Sequence, residues 1–242
     1  MRLLRSAVFN IVMFGSCGLL SLWCALAAWT KPDDRVLVAA RIWARICFWS
    51  LRVFCGITLR AEGFEALPPG GTIIAAQHQS ALDILVWIHL LPRPAFVFKR
   101  ELKRIPVFGQ LLEPSGMIPV DRGGGRVALR AMVAGATQAI AAGRQIVIFP
   151  EGTRVAPHVR GHLRHGIAAL EQAGIAPIFP ASTDSGVCWG RRAFAKTPGI
   201  VRVTLHAPLP PGLRREAVLA RLATLYYGEP PARLANEEAK DI

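Results

Sequence analysis

"TIIAAQHQSALDILVWIHL", residues 72–90, decides the fold. Residues 72–77 form a mainly apolar run of strand length, the pattern of a strand buried on both faces. From about residue 80 to 91 the pattern turns helical, and between the two stand His78 and Asp83. Working outward, strand-like runs recur at 95–99, 116–120, 145–150, 176–182 and 201–206. Helical patterns near 125–142, 161–173 and 214–227 alternate with them. Such alternation predicts an α/β domain, a largely parallel sheet flanked by helices. In these sheets ligands bind beyond the carboxyl ends of the strands. His78, Asp121–Arg122 and Glu151–Arg154 all fall just past an expected strand end.

The chain has 242 residues, enough for one good-sized α/β domain and a short appendage. Lys and Arg outnumber Asp and Glu by 29 to 16, a net charge of +13. Hydrophobic residues make up 52% and the mean hydropathy is +0.35. A chain both basic and greasy suits an anionic membrane surface. No zinc-finger spacing or RNP-type motif supports the rival reading, so no nucleic-acid partner is expected. Cys17, Cys24, Cys47, Cys55 and Cys188 are odd in number with no C-x-x-C pair. They read as small buried residues and not as a disulfide framework.

Residues 6–29 carry no charge and exceed the roughly 20 residues of helix that cross a hydrocarbon core. "ALA" at 25–27 resembles a signal-peptide cleavage site. The apolar run, however, is longer than the usual h-region of about 7–15 residues. In "VLVAARIWARICFWSLRVFCGITL", 36–59, Arg41, Arg45 and Arg52 recur near helical spacing among apolar and tryptophan residues. That composition predicts an amphipathic helix lying in the headgroup region, with a second spanning helix as the alternative. "KPDD", 31–34, turns the chain between the two segments. The expected organisation is a membrane anchor over 1–60, an α/β domain over 61–228 and a polar tail over 229–242.

A histidine just before a helix can meet an aspartate in the first turn, which fixes the imidazole tautomer and stabilises the imidazolium. The plain reading is an aspartate favoring the helix dipole beside an incidental histidine. Ser80 fits the helix start. "FPEGTR", 149–154, puts a carboxylate, a flexible glycine and a guanidinium suited to phosphate on one loop after an apolar strand. His158, His162 and His165 would share a helix face, but flanking Arg160 and Arg164 repel a cation, so no metal is expected. No G-x-S-x-G elbow supplies a serine nucleophile.

"HQSALD" and "FPEGTR" stand in order with "KRELKRIPVFGQLL" (99–112), running on to "SGMIPVDR" (115–122), and with "APIFPAS" (176–182). On these blocks the chain resembles the glycerolipid acyltransferases, and among them the bacterial 1-acyl-glycerol-3-phosphate acyltransferases. The resemblance implies that His78 is the general base and Asp83 its orienter. It implies that Arg122, Glu151, Gly152, Thr153 and Arg154 hold the glycerol phosphate acceptor, that Lys99 (with Lys103) adds positive charge, and that Pro177 shapes the acyl side. The implied reaction joins lysophosphatidic acid and a fatty acyl thioester into phosphatidic acid, with acyl-CoA or acyl carrier protein (ACP) as co-substrate and no cofactor. The implied setting is the phospholipid of the inner membrane, with the catalytic domain on its cytoplasmic face. Gln77 stands where many members have Asn, Ala81 where an aromatic is common, and Arg164-His165-Gly166 where a lysine and glycine often occur. Two other readings stay open: an acyltransferase for another lyso-lipid (lyso-ornithine lipid or lysophospholipid), and a non-catalytic lipid-binding protein.

Overall fold

The computed structural model describes residues 1–27, 33–106 and 108–229. Seven strands are β1 (Ile57–Glu62), β2 (Thr72–Ala76), β3 (Pro94–Lys99), β4 (Ile118–Val120), β5 (Gln145–Ile148), β6 (Ile178–Thr183) and β7 (Gly199–Leu205). They form one sheet in the order β1-β7-β6-β2-β5-β3-β4. The five strands from β6 to β4 are mutually parallel, while β7 runs against β6 and β1 follows β7. The helices are α1 (Arg2–Ala27), α2 (Asp33–Ser50), α3 (Leu82–Leu90), α4 (Phe108–Leu112), α5 (Gly125–Ala141), α6 (Gly166–Ala173), α7 (Ser185–Cys188) and α8 (Arg215–Tyr227). All six expected strands are present, so the expected architecture of a largely parallel sheet flanked by helices holds.

The apolar runs explain the layers. Every residue of β2 is buried. Ile74 and Ala76 pack into a core with α1, α2 and α3, and Ile73 and Ala75 into a second core with α5, α6 and α8. β5 divides its side chains the same way, Val147 to the first core, Ile146 and Ile148 to the second. The partner helices present stripes at matching period: Met132, Ala136 and Ala139 on α5, and Val218, Leu222 and Tyr226 on α8. Burying each Ile, Val, Leu or Met among them contributes about 1.5–3 kcal/mol and each alanine less, so the sheet is held on both faces.

The connection after β2 passes over β5 to β3, whereas the connection after β5 turns back across β2 to β6. The crevice between the ends of these two neighbours is the topological switch point, where such sheets bind ligands. His78 follows β2 there, and the 149–154 loop follows β5.

The N-terminal region departs from expectation in two ways. The helix expected over 36–59 begins at Asp33 and ends in a widened turn over Leu51–Cys55, closed by Gly56 in the left-handed conformation at φ 66°. Residues 57–62 then form β1, an edge strand paired in parallel register with β7 from Ile57↔Gly199 to Glu62↔Thr204. The first four residues of β1 fall within the stretch expected to serve as anchor. Of "KPDD", Lys31 and Pro32 lie outside the described residues, as do residues 230–242 of the expected tail.

The second departure is how α1 is seated. Arg2–Leu26 is long and apolar enough to span a bilayer, and only 17% of its apolar window is buried, unlike the core helix of a soluble domain. Leu3, Leu4, Ile11, Phe14, Leu19, Leu22, Trp23 and Leu26 all face outward, as do Val38, Ile42, Trp49 and Val53 of the next helix and turn. So many exposed apolar side chains on two neighbouring helices suit lipid better than water, in keeping with association of the chain with a membrane. Yet Phe9 and Met13 of α1 belong to the same core as Val147 and Phe179 of the sheet. Lys196 adds a latch: its buried ammonium bonds Asn10 Oδ1 at 2.5 Å and sits 4.4 Å above the Trp189 ring. α1 is therefore part of the folded domain.

Candidate active site

Asp83 lies in the first turn of α3 and is 2% exposed. Its Oδ2 accepts from His78 Nδ1 at 2.9 Å and from the Gln79 and Ser80 N–H groups at 2.8 Å each. Its Oδ1 accepts from the buried Ser185 hydroxyl at the start of α7. Hydrogen bonds to a charged group contribute about 1.5–3 kcal/mol each, so four donors hold this buried carboxylate in one position. Since Oδ2 only accepts, the proton of the His78 ring sits on Nδ1, and Nε2 is left with a free lone pair and no protein partner among the described residues. Ser80 Oγ accepts from the Leu82 N–H at 3.1 Å, the helix-start role expected of it.

The backbone of His78 is tied to the other motif at both ends. Its N–H donates to Glu151 Oε2 at 2.5 Å, and its carbonyl accepts from the Val155 N–H at 2.8 Å. Gly152 makes the turn between them, with φ 65° and its N–H on the Phe149 carbonyl at 2.9 Å. A Cβ at this glycine would also come within 3.2 Å of Arg164 Cγ. Phe149 stacks on the His78 ring with centroids 4.1 Å apart, and Phe96 stacks on Phe149 at 6.5 Å.

Phe96 leads into an apolar cavity of about 320 Å³ between α1, α2, α3 and the β3–β4 edge, lined by Leu20, Leu37, Trp43, Ile88, Phe98 and Met117 among others. One wall of this cavity is the α1–α2 pair, whose other faces carry the exposed apolar residues.

Glu151 is at the site but faces inward. It is 2% exposed, and its Oε1 accepts from the Tyr227 phenol at 2.5 Å. Burial pushes its carboxyl up to about 7, against the opposing pull of Tyr227 and the His78 N–H, while the negative Asp83 raises it further. The same burial, with Glu151 beside it, raises the Tyr227 phenol. With the group buried and both oxygens taken up by internal donors, the geometry gives Glu151 an internal role in place of the acceptor contact expected of it.

The remaining expected residues divide. Thr153 is exposed and Arg154 half-buried on the loop beside His78. Arg122 is exposed beyond β4, and Lys99 ends β3, paired with Glu101 at 3.0 Å. All four lie along the edge of the sheet that carries His78. Pro177 does not. β6 runs parallel to β2, and the Pro177 carbonyl accepts from the Ile73 N–H at the start of both strands. It is therefore at the opposite end of the sheet from His78, and the apolar cavity is built from other elements. The residue just past the far end of that block reaches the site instead, where the Thr183 N–H donates to Gln77 Oε1 at 3.2 Å. Residues 157–165 are not helical and α6 starts only at Gly166, so the three histidines share no helix face. Ser185 and Tyr227 escaped the sequence reading, because nothing local marks a serine 102 positions from its aspartate or a tyrosine 76 positions from its glutamate.

Residues 58–184 match the model of the Acyltransferase family. The chain is 28% identical over 206 residues to the 1-acyl-sn-glycerol-3-phosphate acyltransferase of Pseudomonas aeruginosa, covering 84% of this chain and 79% of that protein. It is 29% identical over 173 residues to the human 1-acyl-sn-glycerol-3-phosphate acyltransferase alpha, covering 69% of this chain and 60% of that one. The crystal structure of the 1-acyl-sn-glycerophosphate acyltransferase of Thermotoga maritima superposes with a TM-score of 0.70 at 21% identity, over 93% of this chain and 97% of that one. At that identity the superposition establishes the fold.

Proposed function

We propose that this chain, which belongs to the acyltransferase family, transfers a fatty acyl group from a thioester to the free hydroxyl of 1-acyl-glycerol-3-phosphate, giving phosphatidic acid. The observation that carries the reading is the His78–Asp83 pair, its Nδ1 fixed at 2.9 Å and its ring stacked on the aromatic step that leads to an apolar cavity. Nε2 takes the proton of the acceptor hydroxyl as that oxygen attacks the thioester carbonyl. The C–S bond then breaks, and the imidazolium returns the proton to the departing thiolate. No covalent enzyme intermediate is needed, because the thioester is already activated. Asp83 stabilises the transient imidazolium.

The apolar cavity suits a fatty chain, with its α1 and α2 wall giving access from lipid. Arg154 and Arg122 suit the acceptor phosphate, since a guanidinium offers two parallel donors to such an anion. Lys99 and Thr153 lie on the same rim. The thiol carrier, CoA or ACP, stays within the proposal as co-substrate. We place the reaction at the inner membrane with the α/β domain on its cytoplasmic face. Arg2, at the basic end of α1, donates to the Lys196 carbonyl at 2.9 Å, and positive charge near a helix end favours the cytoplasmic side. Five free cysteines fit a reducing compartment.

The test is thiol release by the full chain in mixed micelles across a panel of lyso-lipids, with both donors. Release should be greatest with lysophosphatidic acid. Preference for lyso-ornithine lipid or a lysophospholipid would move the acceptor assignment, and no release with any would leave a lipid-binding protein.

A further inference from the structure

We propose that Tyr227, the last residue of α8, is a positioning residue for acyl transfer, acting through Glu151 on the backbone that carries His78. The inference rests on His78 being the base. The phenol of Tyr227 donates to Glu151 Oε1, and Glu151 Oε2 receives the His78 N–H, both at 2.5 Å. The residue before it grips the same strand: the Tyr226 phenol donates to the Ala75 carbonyl at 2.7 Å, and Gln77 Nε2 donates to the Tyr226 carbonyl at 3.2 Å. The last turn of α8 thus holds the β2 exit at Ala75, Gln77 and His78, on the side of the sheet opposite Asp83 and α3.

Asp83 and Glu151 divide the work. Asp83 fixes the ring through Nδ1, whereas Glu151 fixes where the residue's backbone sits. Both are needed, because a ring held at one nitrogen still swings if its main chain can shift. A misplacement of about 1 Å can cost about 10²-fold in rate. Tyr227 is only partly buried, with Arg160 5.8 Å above its ring, so its packing persists without the hydroxyl.

The groups facing Glu151 are Tyr227 and Tyr226 from α8, the His78 N–H from the β2 exit, and Asp83 from α3. Arg164 lies against the neighbouring Gly152. The phenol donor favours the ionised form of Glu151, which is the form that best accepts the His78 N–H. Removing it raises the Glu151 carboxyl, so the protonated, weaker acceptor persists to higher pH.

Full-length Tyr227→Phe and Glu151→Gln are assayed in mixed micelles for kcat and KM as functions of pH, beside Glu151→Ala and His78→Ala. Tyr227→Phe should lower kcat roughly tenfold with little change in KM for lysophosphatidic acid, and move the acid limb to higher pH. Glu151→Gln can still accept from His78 without a charge. It should therefore retain more activity than Glu151→Ala, and adding Tyr227→Phe to it should shift no acid limb. An unchanged profile for Tyr227→Phe overturns the inference, as does a uniform loss at every pH that tracks a lowered Tm. A loss confined to KM also overturns it, since Glu151 would then contact the acceptor. An active His78→Ala defeats the base assignment itself, whereas an inactive one beside an unaltered Tyr227→Phe defeats only the inference about Tyr227.

Discussion

In the loop that carries His78, the polar groups around the ring already have protein partners. Asp83 receives four donors, Glu151 two, and the His78 main chain is bonded at both its N–H and its carbonyl. Along the rim in front of it, Arg122 and Arg154 project with no hydrogen bond or ion pair to the described residues, and Lys99 only pairs with its exposed neighbour Glu101. The contrast separates two tasks. A base must be placed to within a fraction of an ångström, which requires neighbours that cost no reorganisation during the reaction. A phosphate site needs donors still unspent when the ligand arrives, because a guanidinium already forked onto a carboxylate has little left to offer.

The largest effect should come from breaking the wired side. Asp83→Asn removes the charge that supports the imidazolium and puts a donor-bearing amide among four donors. A fall of about 10²–10⁴-fold in kcat is expected, with lysophosphatidic acid affinity largely kept. On the open side, Arg154→Ala should cost about 2–5 kcal/mol in kcat/KM, carried mostly by KM, and Arg154→Lys should recover only part because it keeps the charge and loses the fork. Arg130→Ala is the control, an exposed arginine on α5 away from the rim, expected to be near neutral. Equal, small losses at Arg154 and Arg130 would move the phosphate site elsewhere. Ser185→Ala gives the smallest change, since Asp83 keeps three of its donors. A three- to tenfold loss in kcat, about 1 kcal/mol, is expected by single-turnover rate, since only the part of that hydrogen bond's contribution that differs between ground and transition state reaches kcat.

What the sequence made legible follows from range. β2 and β5 announce themselves because a strand buried on both faces is a continuous apolar run. The His78–Asp83 pair is five residues apart, so a strand end followed by a first helical turn is enough to bring the two together. β1 was hidden because its apolar residues continue the helix before it, and only Gly56 marks the break. The inward turn of Glu151 was not legible, since a charged loop reads the same whether its carboxylate meets water, phosphate or a buried tyrosine. Pro177 misled because a motif block names residues without saying which end of the strand meets the ligand. The two-layer role of α1 was half legible: its hydrophobicity showed the lipid side, but Phe9 and Met13 look no different from their lipid-facing neighbours.

The central claim is that His78 is the base and that Asp83 and Glu151 serve only to place and support it. Its most direct test is His78→Ala in the full-length protein, with acyl transfer followed by thiol release and lysophosphatidic acid binding followed separately on the same micelles. The account predicts that turnover is abolished while binding stays largely intact, because the imidazole handles a proton and the phosphate is held elsewhere. Retention of more than about a few per cent of turnover, or loss of binding in step with loss of turnover, would contradict it.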